Sequence, residues 1–286
     1  LYDHPLYIND ALNGYEATKQ SGTALGMFDG LLDLGVGDDG FWFEGSPSYH
    51  SFVLKHYIYL ADAAQRFGSN KGTNLYQGNE KLKSMFDAFL KLPYPDLTLQ
   101  ANNDSNYKPN LLAPIYLWMM ETADREYKES NTSYREYLNQ AYESQSRSSA
   151  DLYSLLFGYT LIPETNNPFL LQDANMTGLG TLLSRNHVNG KTYMNTLDYG
   201  PYAGGHDHYD KLNITTYGND RVWLDDLGIS PYGTISADQY YRMSSAHNTV
   251  VVPDTNQSGI GGSFLAMGNT RSMHYSAAAA DGIYPD

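Results

Sequence analysis

The sequence of 286 residues contains no cysteine, so disulfide bonds cannot stabilise its fold. It also lacks a long apolar run: the longest, LLAPIYLWMM at 111–120, is well short of the roughly 20 residues that cross a bilayer. The chain is nevertheless long enough, with 41% hydrophobic residues, to bury a full core. These features exclude a disulfide-rich scaffold and a helical membrane protein, and they indicate a globular protein.

Basic residues are scarce. Lys and Arg number 18 against 32 Asp and Glu, which gives a formal net charge of −14. A general nucleic-acid binder needs clustered cations to neutralise phosphates, so this composition argues against nucleic acid as a partner. The 26 tyrosines instead suit wet, sugar-like ligands, because each ring joins an apolar face to a polar tip.

The first part of the chain has helical periodicity. Ser46 and Pro47 signal the start of a helix that extends to Phe67, and Gly68 follows it. Four more helices are predicted near 78–91, 109–128, 131–144 and 149–158, joined by loops rich in Asn, Pro and Gly. This part is predicted to be all helical.

After PETNNPF the pattern changes to short runs of β-branched and aromatic residues. Asn189-Gly190 predicts a tight hairpin, Gly218-Asn219 predicts a second one, and HNTVVVPD is typical of a strand that Pro253 ends. The sequence therefore predicts a helical region at 1–167 and an antiparallel β region at 168–286. The chain opens LYDHPLYIND, without an initiator methionine or a secretion signal, so we expect a piece of a larger protein.

The segment HDHYD at 206–210 carries the densest chemistry of the β region. On a strand, His206 and His208 would project from one face. Downstream, His247 and either Asp225 or Asp226 lie at the ends of neighbouring predicted strands, and together these residue types suit zinc or a similar ion. The stronger zinc signatures, HExxH and paired CxxC, are missing.

A second dense segment is GDDGFWFEGSPSYHSF. Asp38, Asp39 and Glu44 offer carboxylates of the kind that hydrolyse sugars, with Tyr49 or His50 as proton shuttles. The alternative for Asp38 and Asp39 is turn formation, which the flanking glycines favour.

Four motifs in order over 39–252 are similar to those of a known family: DGFWFEGSPSYHSF, YGPYAGGHDHYDKLNI, LDDLG and HNTVVV. They resemble the heparinase II/III-like polysaccharide lyases, which include heparin and heparan sulfate lyases and oligoalginate lyases. The resemblance implies an α+β multidomain fold, an incomplete α/α toroid of paired helices followed by an antiparallel β-sandwich, here expected to be truncated at both ends. It also implies cleavage of uronic-acid polysaccharides by β-elimination in a cleft between the two parts.

The resemblance assigns roles by motif. Tyr49 matches the family's catalytic tyrosine and His206 its catalytic histidine, which serve as base and acid. His208, Asp226 and His247 match the ligands of a divalent metal, usually zinc, with Asp225 as the second choice to Asp226. No motif gives a role to Glu44 or His50, which are expected in the cleft because they lie close to Tyr49 in sequence; the other residues expected to contact substrate are Tyr202 and Lys211.

One family element has no clear counterpart before Tyr49. The family neutralises the substrate carboxylate with an Asn or His, sometimes with a Glu, and only Asn9 and Asn13 are available here. We expect the missing element to precede Leu1.

The expected partner is an anionic polysaccharide. A heavily sulfated polymer favours a strongly basic cleft, so the acidic composition favours a carboxylate-only polymer, such as alginate or an unsulfated glycosaminoglycan, over heparin. Five cations could still face the cleft: Arg185, Lys191, Lys211, Arg221 and Arg242. Two alternatives remain open, a glycoside hydrolase using Glu44 with Asp38 or Asp39 and a non-catalytic carbohydrate-binding module. We expect a secreted or periplasmic bacterial protein, and the sequence does not predict its oligomeric state.

Overall fold

Helices come first along the chain and strands follow. The structure is a computed structural model, and it describes residues 28–66, 74–145, 147, 152–158, 164–270 and 273–284. The helices in this part of the chain are α1 (Asp29–Gly35), α2 (Pro47–Arg66), α3 (Glu80–Lys91), α4 (Pro114–Tyr127), α5 (Ser133–Ser144) and α6 (Leu152–Phe157). Each helix from α2 to α5 packs against the next.

Local sequence explains where these helices begin. Pro47 and Pro114 occupy first turns, where the missing N–H costs nothing. The Asn79 side chain caps α3 by accepting a hydrogen bond from the Leu82 N–H at 2.9 Å. The predicted helices are confirmed with small shifts of their ends, α1 was not predicted, and the segments 67–73 and 149–151 lie outside the described residues.

The strands form two antiparallel sheets. One contains β1 (Ala174–Met176), β2 (Thr181–Val188), β3 (Lys191–Asp198), β4 (Ile214–Gly218) and β5 (Arg221–Leu224) in chain order, and the other pairs β6 (Ser263–Asn269) with β7 (His274–Ala279). Both predicted hairpins are confirmed. Their turns are Asn189-Gly190 and Asn219-Asp220, all at positive φ as a two-residue hairpin turn favours. The second turn lies one residue later than predicted.

Two strand predictions are wrong. HDHYD does not lie on a strand, because Gly204, at φ +80°, starts a 3₁₀ turn over Gly204–His206. HNTVVVPD is not a strand either: in the described structure it makes one isolated bridge, from Val252 to Thr255, and a single backbone hydrogen bond to β4, from the Ile214 N–H to the Asn248 carbonyl at 3.1 Å. Asn248 instead donates its side-chain amide to the Asp225 carbonyl at 2.8 Å, and such side-chain bonds compete with a β ladder.

The helices and the larger sheet share one hydrophobic core. Sheet residues such as Leu183, Met194 and Tyr217 belong to the same buried cluster as the helical residues, and Tyr217 stacks on Tyr94 with ring centroids 5.6 Å apart. On its other side the larger sheet packs against β7, where Ser184 Oγ and Ser276 Oγ lie 2.6 Å apart. The expected fold class, helices followed by packed antiparallel sheets, is confirmed.

The change from helix to strand falls between Phe157 and Ala174. The exact boundary at 167/168 stays a prediction. Within the described ranges, no helix is both long and apolar enough to cross a membrane.

Candidate active site and metal centre

The buried carboxylate of Asp104 lies at the centre of the site. Its Oδ1 accepts a hydrogen bond from His208 Nε2 at 3.0 Å, and its Oδ2 accepts from His206 Nδ1 at 2.9 Å and from the Tyr232 hydroxyl at 2.8 Å. Arg242 donates to both oxygens. Burial alone raises the pKa of Asp104, but the hydrogen bonds from His208, Arg242, His206 and Tyr232 outweigh it and hold the pKa well below its usual range. Asp104 is therefore ionised.

The backbone around Asp104 fixes the loop that carries the two histidines. The Asp104 N–H donates to the His206 carbonyl at 3.1 Å. The Asn103 side chain accepts from the His208 N–H at 3.2 Å and donates to the Gly45 carbonyl at 3.1 Å. The segments before α2, after α3 and after β3 therefore converge on this carboxylate.

Tyr49, on the first turn of α2, stacks on His206 with ring centroids 4.0 Å apart and an interplanar angle of 27°. The Tyr49 and Tyr232 hydroxyl oxygens lie 2.7 Å apart. Ser48, the preceding residue, ties this turn to the Asp104 loop, because its Oγ accepts from the Asn106 N–H at 3.0 Å. The structure thus brings together the predicted phenol and imidazole.

Glu44 lies on the other side of His206. Its Oε1 is 3.5 Å from His206 Nε2, and its Oε2 accepts from Trp42 Nε1 at 2.7 Å. The indole bond holds the carboxylate in place, so Glu44 is at the site as predicted from its closeness to Tyr49 in sequence.

An open groove of about 640 Å³ borders this cluster. Phe52 and Tyr107 are 55% and 54% exposed, so they offer aromatic faces to a ligand. The described residues that line the groove include no Lys or Arg; they are Ser48, Tyr49, Phe52, Asp104, Asn106, Tyr107, Ile229, Ser230, Pro231 and Tyr232.

Behind the groove, His208, Asp226 and His247 form a buried triad whose ligand atoms all lie within 4.8 Å of one another. His208 Nδ1 and His247 Nε2 are buried without a hydrogen-bond partner, which is costly unless a further group binds there. Two imidazoles and a carboxylate are donors that zinc accepts. The donor set therefore fits a divalent metal.

The surroundings of the triad also suit a metal. Asp226 Oδ2 accepts from Asn213 Nδ2 at 2.8 Å and Oδ1 from the Gly228 N–H at 3.1 Å, which fixes the carboxylate. Burial lowers the pKa of His247, but the Asp226 charge outweighs burial and raises the pKa to about 9, so metal binding at this imidazole would require the loss of a proton. Asp225 points elsewhere and pairs with Lys108 at 3.4 Å, so Asp226 is the carboxylate of the triad.

His50 does not face the groove, contrary to the prediction. It is fully buried: its Nδ1 accepts from the Trp42 N–H at 3.0 Å, its Nε2 donates to the Met85 carbonyl at 2.9 Å, and its ring stacks on Phe41. Burial lowers its pKa to about 4. His50 is a neutral core residue, because the helical repeat turns it away from Tyr49.

The prediction that Lys211 binds substrate is also wrong. Its ammonium is 2% exposed and lies 2.8, 3.2 and 3.9 Å from the carboxylates of Asp210, Asp207 and Asp198. Burial lowers its pKa, but these three charges raise it overall. Tyr202 lies outside the groove, with its ring stacked on Tyr209.

Of the five cations that could have faced the cleft, Arg242 alone lies at the site, on Asp104. Arg185 is buried against the Lys91 and Pro93 carbonyls, Lys191 pairs with Asp220, and Arg221 stacks over Trp223. Asn9 and Asn13 lie outside the described residues.

Sequence reasoning missed Asp104 and Tyr232. Asp104 belongs to the polar run NNDSN, which was interpreted as part of a loop, and Tyr232 belongs to a Pro-Tyr-Gly turn. The partners of Asp104 are 102 to 138 residues away in sequence, and Tyr49 is 183 residues from Tyr232, so no spacing rule could identify them.

Comparisons with known proteins agree with this architecture. Residues 171–276 match the family model described as Heparinase II/III-like, C-terminal. Heparan sulfate lyase HepC from Pedobacter heparinus has a similar structure, with a TM-score of 0.67 and 14% sequence identity over 95% of this chain and 40% of that one. A heparinase III structure has a TM-score of 0.56 and 18% identity over 92% of this chain and 40% of that one.

No curated protein matches the chain in sequence. The chain spans about 40% of the length of these two solved structures, and at such low identity the likeness establishes a shared fold. The resemblance carried by the motifs is confirmed for the β region, where residues 171–276 match the C-terminal region of the heparinase II/III-like family.

Proposed function

We propose that the protein is a polysaccharide lyase that cleaves uronic-acid polymers by β-elimination, in a secreted or periplasmic location. The observation that carries the proposal is the stacking of Tyr49 on His206, at 4.0 Å, on the border of one open groove. Proton transfer to and from substrate needs two such groups within reach of the same sugar.

In the proposed reaction a base removes the proton from the carbon next to the uronate carboxylate. The electron pair forms a carbon–carbon double bond, the bond to the departing O4 breaks, and an acid delivers a proton to O4. The products are one fragment with a new reducing end, which carries the departing O4, and a second fragment whose non-reducing end is an unsaturated uronate with its alkene conjugated to the carboxylate.

Hydrogen bonding supports one division of roles. His206 donates Nδ1–H to Asp104, so its Nε2 carries the lone pair of a base. Tyr232 donates to Asp104, so its oxygen is left to accept a hydrogen bond from Tyr49. Tyr49 therefore holds its proton and is the acid.

The proton next to a carboxylate is weakly acidic, so the carboxylate charge has to be neutralised in the transition state. Asn106 lines the groove and supplies a side-chain amide there. A hydrogen bond from this amide to the uronate would disperse part of that charge.

His208, Asp226 and His247 would hold a divalent cation, with zinc the best match to two imidazoles and a carboxylate. When bound, the metal would cross-link three loops behind the groove. All three ligands are buried, which suits a structural role.

The groove favours a polymer that carries carboxylates but little sulfate. Sulfate groups need Arg or Lys partners, and the described lining has neither. Arg242 is engaged by Asp104, and the groove instead offers Phe52 and Tyr107 as stacking faces for sugar rings. Alginate and unsulfated glycosaminoglycans fit this lining better than heparin.

The test is the ultraviolet absorbance of the new conjugated alkene during incubation with alginate, hyaluronan, chondroitin and heparan sulfate. We expect at least one polymer to give the signal, and Tyr49→Phe and His206→Gln to reduce kcat by about 10² to 10⁴-fold. His56→Gln, an exposed histidine on the same helix as Tyr49, is the matched control.

Two outcomes contradict the proposal. New reducing ends without an alkene would indicate a glycoside hydrolase, and binding without shortening of any polymer would indicate a carbohydrate-binding module. The geometry does not favour a hydrolase that uses Asp39, because both oxygens of that carboxylate are occupied by backbone N–H groups.

A further inference from the structure

We propose that Asp104 is a positioning residue that fixes the tautomers of His206 and His208 together and so couples the metal centre to the groove. The part concerning His206 rests on the proposed lyase function. The part concerning His208 needs only the metal triad.

The argument begins with hydrogen positions. Arg242 donates to both oxygens of Asp104, and a carboxylate in such a pair can only accept hydrogen bonds, so each further group that faces it must supply a hydrogen. His206 faces it with Nδ1 at 2.9 Å and His208 with Nε2 at 3.0 Å. His206 is therefore protonated on Nδ1, and His208 is protonated on Nε2.

Each assignment leaves the opposite nitrogen free where it is needed. Nε2 of His206 lies 3.5 Å from Glu44 Oε1, which is long for a hydrogen bond, so the shorter Asp104 contact at Nδ1, at 2.9 Å, decides the tautomer. Nδ1 of His208 keeps its lone pair inside the triad, where it has no hydrogen-bond partner. The unpartnered nitrogen of His208 is therefore Nδ1, the one that is left without hydrogen when Nε2 donates to Asp104.

The same carboxylate orders the third group of the cluster. Tyr232 donates to Asp104 Oδ2 at 2.8 Å, which turns the hydroxyl lone pairs toward Tyr49, 2.7 Å away. The proton of the Tyr49 hydroxyl is therefore directed by a hydrogen-bond chain that ends at Asp104.

Asp104 is well suited to this role because its own position is strongly constrained. Arg242 neutralises its charge from one side. Its backbone N–H binds the His206 carbonyl, and the neighbouring Asn103 binds the His208 N–H and the Gly45 carbonyl. A carboxylate with this many constraints can hold two rings without moving between them.

The first test needs no variant. Imidazole nitrogen chemical shifts of the ¹⁵N-labelled chain, at mildly alkaline pH with and without added zinc, report the tautomer of each histidine. We expect hydrogen on Nδ1 of His206 and on Nε2 of His208. Hydrogen on Nε2 of a neutral His206, or on Nδ1 of His208 in the zinc-free chain, would overturn the proposal.

The second test is Asp104→Asn, which preserves shape but places an NH₂ group against at least one ring. We expect kcat to fall by about 10³-fold with KM changed less than about threefold, as for loss of a tautomer-holding carboxylate. We also expect zinc affinity, measured by chelator competition, to weaken by about 10 to 100-fold.

Asp173→Asn is the matched control. Asp173, just before β1, also accepts a hydrogen bond from a histidine, His274 Nδ1 at the start of β7, at 3.0 Å. If Asp104→Asn resembles Asp173→Asn in both kcat and zinc affinity, the proposal is wrong. If Asp104→Asn fails to fold, the tautomers of the unaltered chain still decide. If the unaltered protein forms no alkene, the proposed function fails, while tautomers and zinc affinity still decide the role of Asp104.

Discussion

Three histidines in this protein show how partners determine the chemistry of one side chain. His50 is sealed in the core between a backbone N–H and a backbone carbonyl, which keeps it neutral. His206 is partly exposed beside Tyr49, and His208 is buried with one nitrogen free inside the triad. The roles follow from which nitrogen is occupied and from access to the groove.

The buried His50 makes stability depend on pH. Its pKa falls from 6.5 unfolded to about 4 folded, because burial opposes its charge. The unfolded chain binds the extra proton between these values, so this contribution is complete above pH of about 6.5 and is lost as pH falls toward 4. At pH of about 5 the loss is about 2 kcal/mol.

Glutamine cannot titrate, so His50→Gln should lose less stability than the unaltered protein when the pH falls from neutral to about 5. We expect the two losses in free energy of unfolding to differ by about 2 kcal/mol. Urea unfolding at the two pH values measures this difference. His56→Gln, on the exposed face of the same helix, should keep the original pH dependence. Equal pH dependence in His50→Gln would show that His50 is not held neutral by burial.

At the scale of elements, the candidate site is built from connections between helices and strands. Asp104 lies between α3 and α4, His206 lies in a 3₁₀ turn after β3, and Asp226 follows β5. Tyr49, on the first turn of α2, is the exception. A rigid scaffold that presents functional groups on loops is common in enzymes, because loop backbones can turn toward one point.

Asp39 joins one of these loops to the sheet. Its Oδ1 accepts from the Phe41 N–H and its Oδ2 from the N–H groups of Gly178 and Leu179, all at 2.9 Å. Gly178 is required for this approach, since a Cβ there would lie 2.6 Å from the carboxylate. The loop that precedes Tyr49 is therefore fixed to the turn between β1 and β2.

We expect Asp39→Ala to lower the free energy of unfolding by about 3 kcal/mol, since it leaves three N–H groups without a charged acceptor. The exposed neighbour Asp38 provides the control, and Asp38→Ala should stay within about 0.5 kcal/mol of the unaltered protein. Urea unfolding of both variants measures the difference. A loss below about 1 kcal/mol in Asp39→Ala would mean that this carboxylate does not hold the loop.

The elements that sequence predicts well are those with local causes. Helices α2 to α5 follow from apolar periodicity and proline starts, and the hairpins follow from turn residues that tolerate positive φ. The run HNTVVV carried the β-branched composition of a strand, yet Val250 is 73% exposed and unpaired in a ladder. Its conformation is set by contacts of Asn248 with distant residues, and composition does not record those.

The residues of the site also divide into those with a local sequence signal and those without one. Tyr49, His206 and the triad could be singled out because each lies in a recognisable segment, and the structure brings Tyr49 to His206 and the three triad residues to one another. Asp104 was missed, because its role arises from four partners more than 100 residues away. His50 and Lys211 were misplaced, because a residue's distance in sequence from Tyr49 or His206 does not say whether it points into the core or the groove.

For the whole molecule, the helices and the larger sheet are joined by polar as well as apolar contacts. Buried Arg185 on β2 donates to the Lys91 and Pro93 carbonyls after α3, at 2.6 and 3.0 Å. Burial lowers its pKa to about 10, although Asp173 opposes the shift. Tyr94 stacks on Tyr217 beside this contact. The interface between the helices and the larger sheet is therefore part of the core.

A shared core predicts one unfolding transition for the helical and sheet regions, despite their different architecture. Far-ultraviolet circular dichroism and the fluorescence of Trp118, which is buried in α4, should report the same urea midpoint. Arg185→Met should move both midpoints together and lower the free energy of unfolding by about 3 kcal/mol, because the carbonyls of Lys91, Pro93 and Gln172 lose a charged donor. Arg221→Met, on β5, should change it by less than about 0.5 kcal/mol. If the two probes separate in Arg185→Met, the regions unfold independently, and the groove between them can then open without loss of either part.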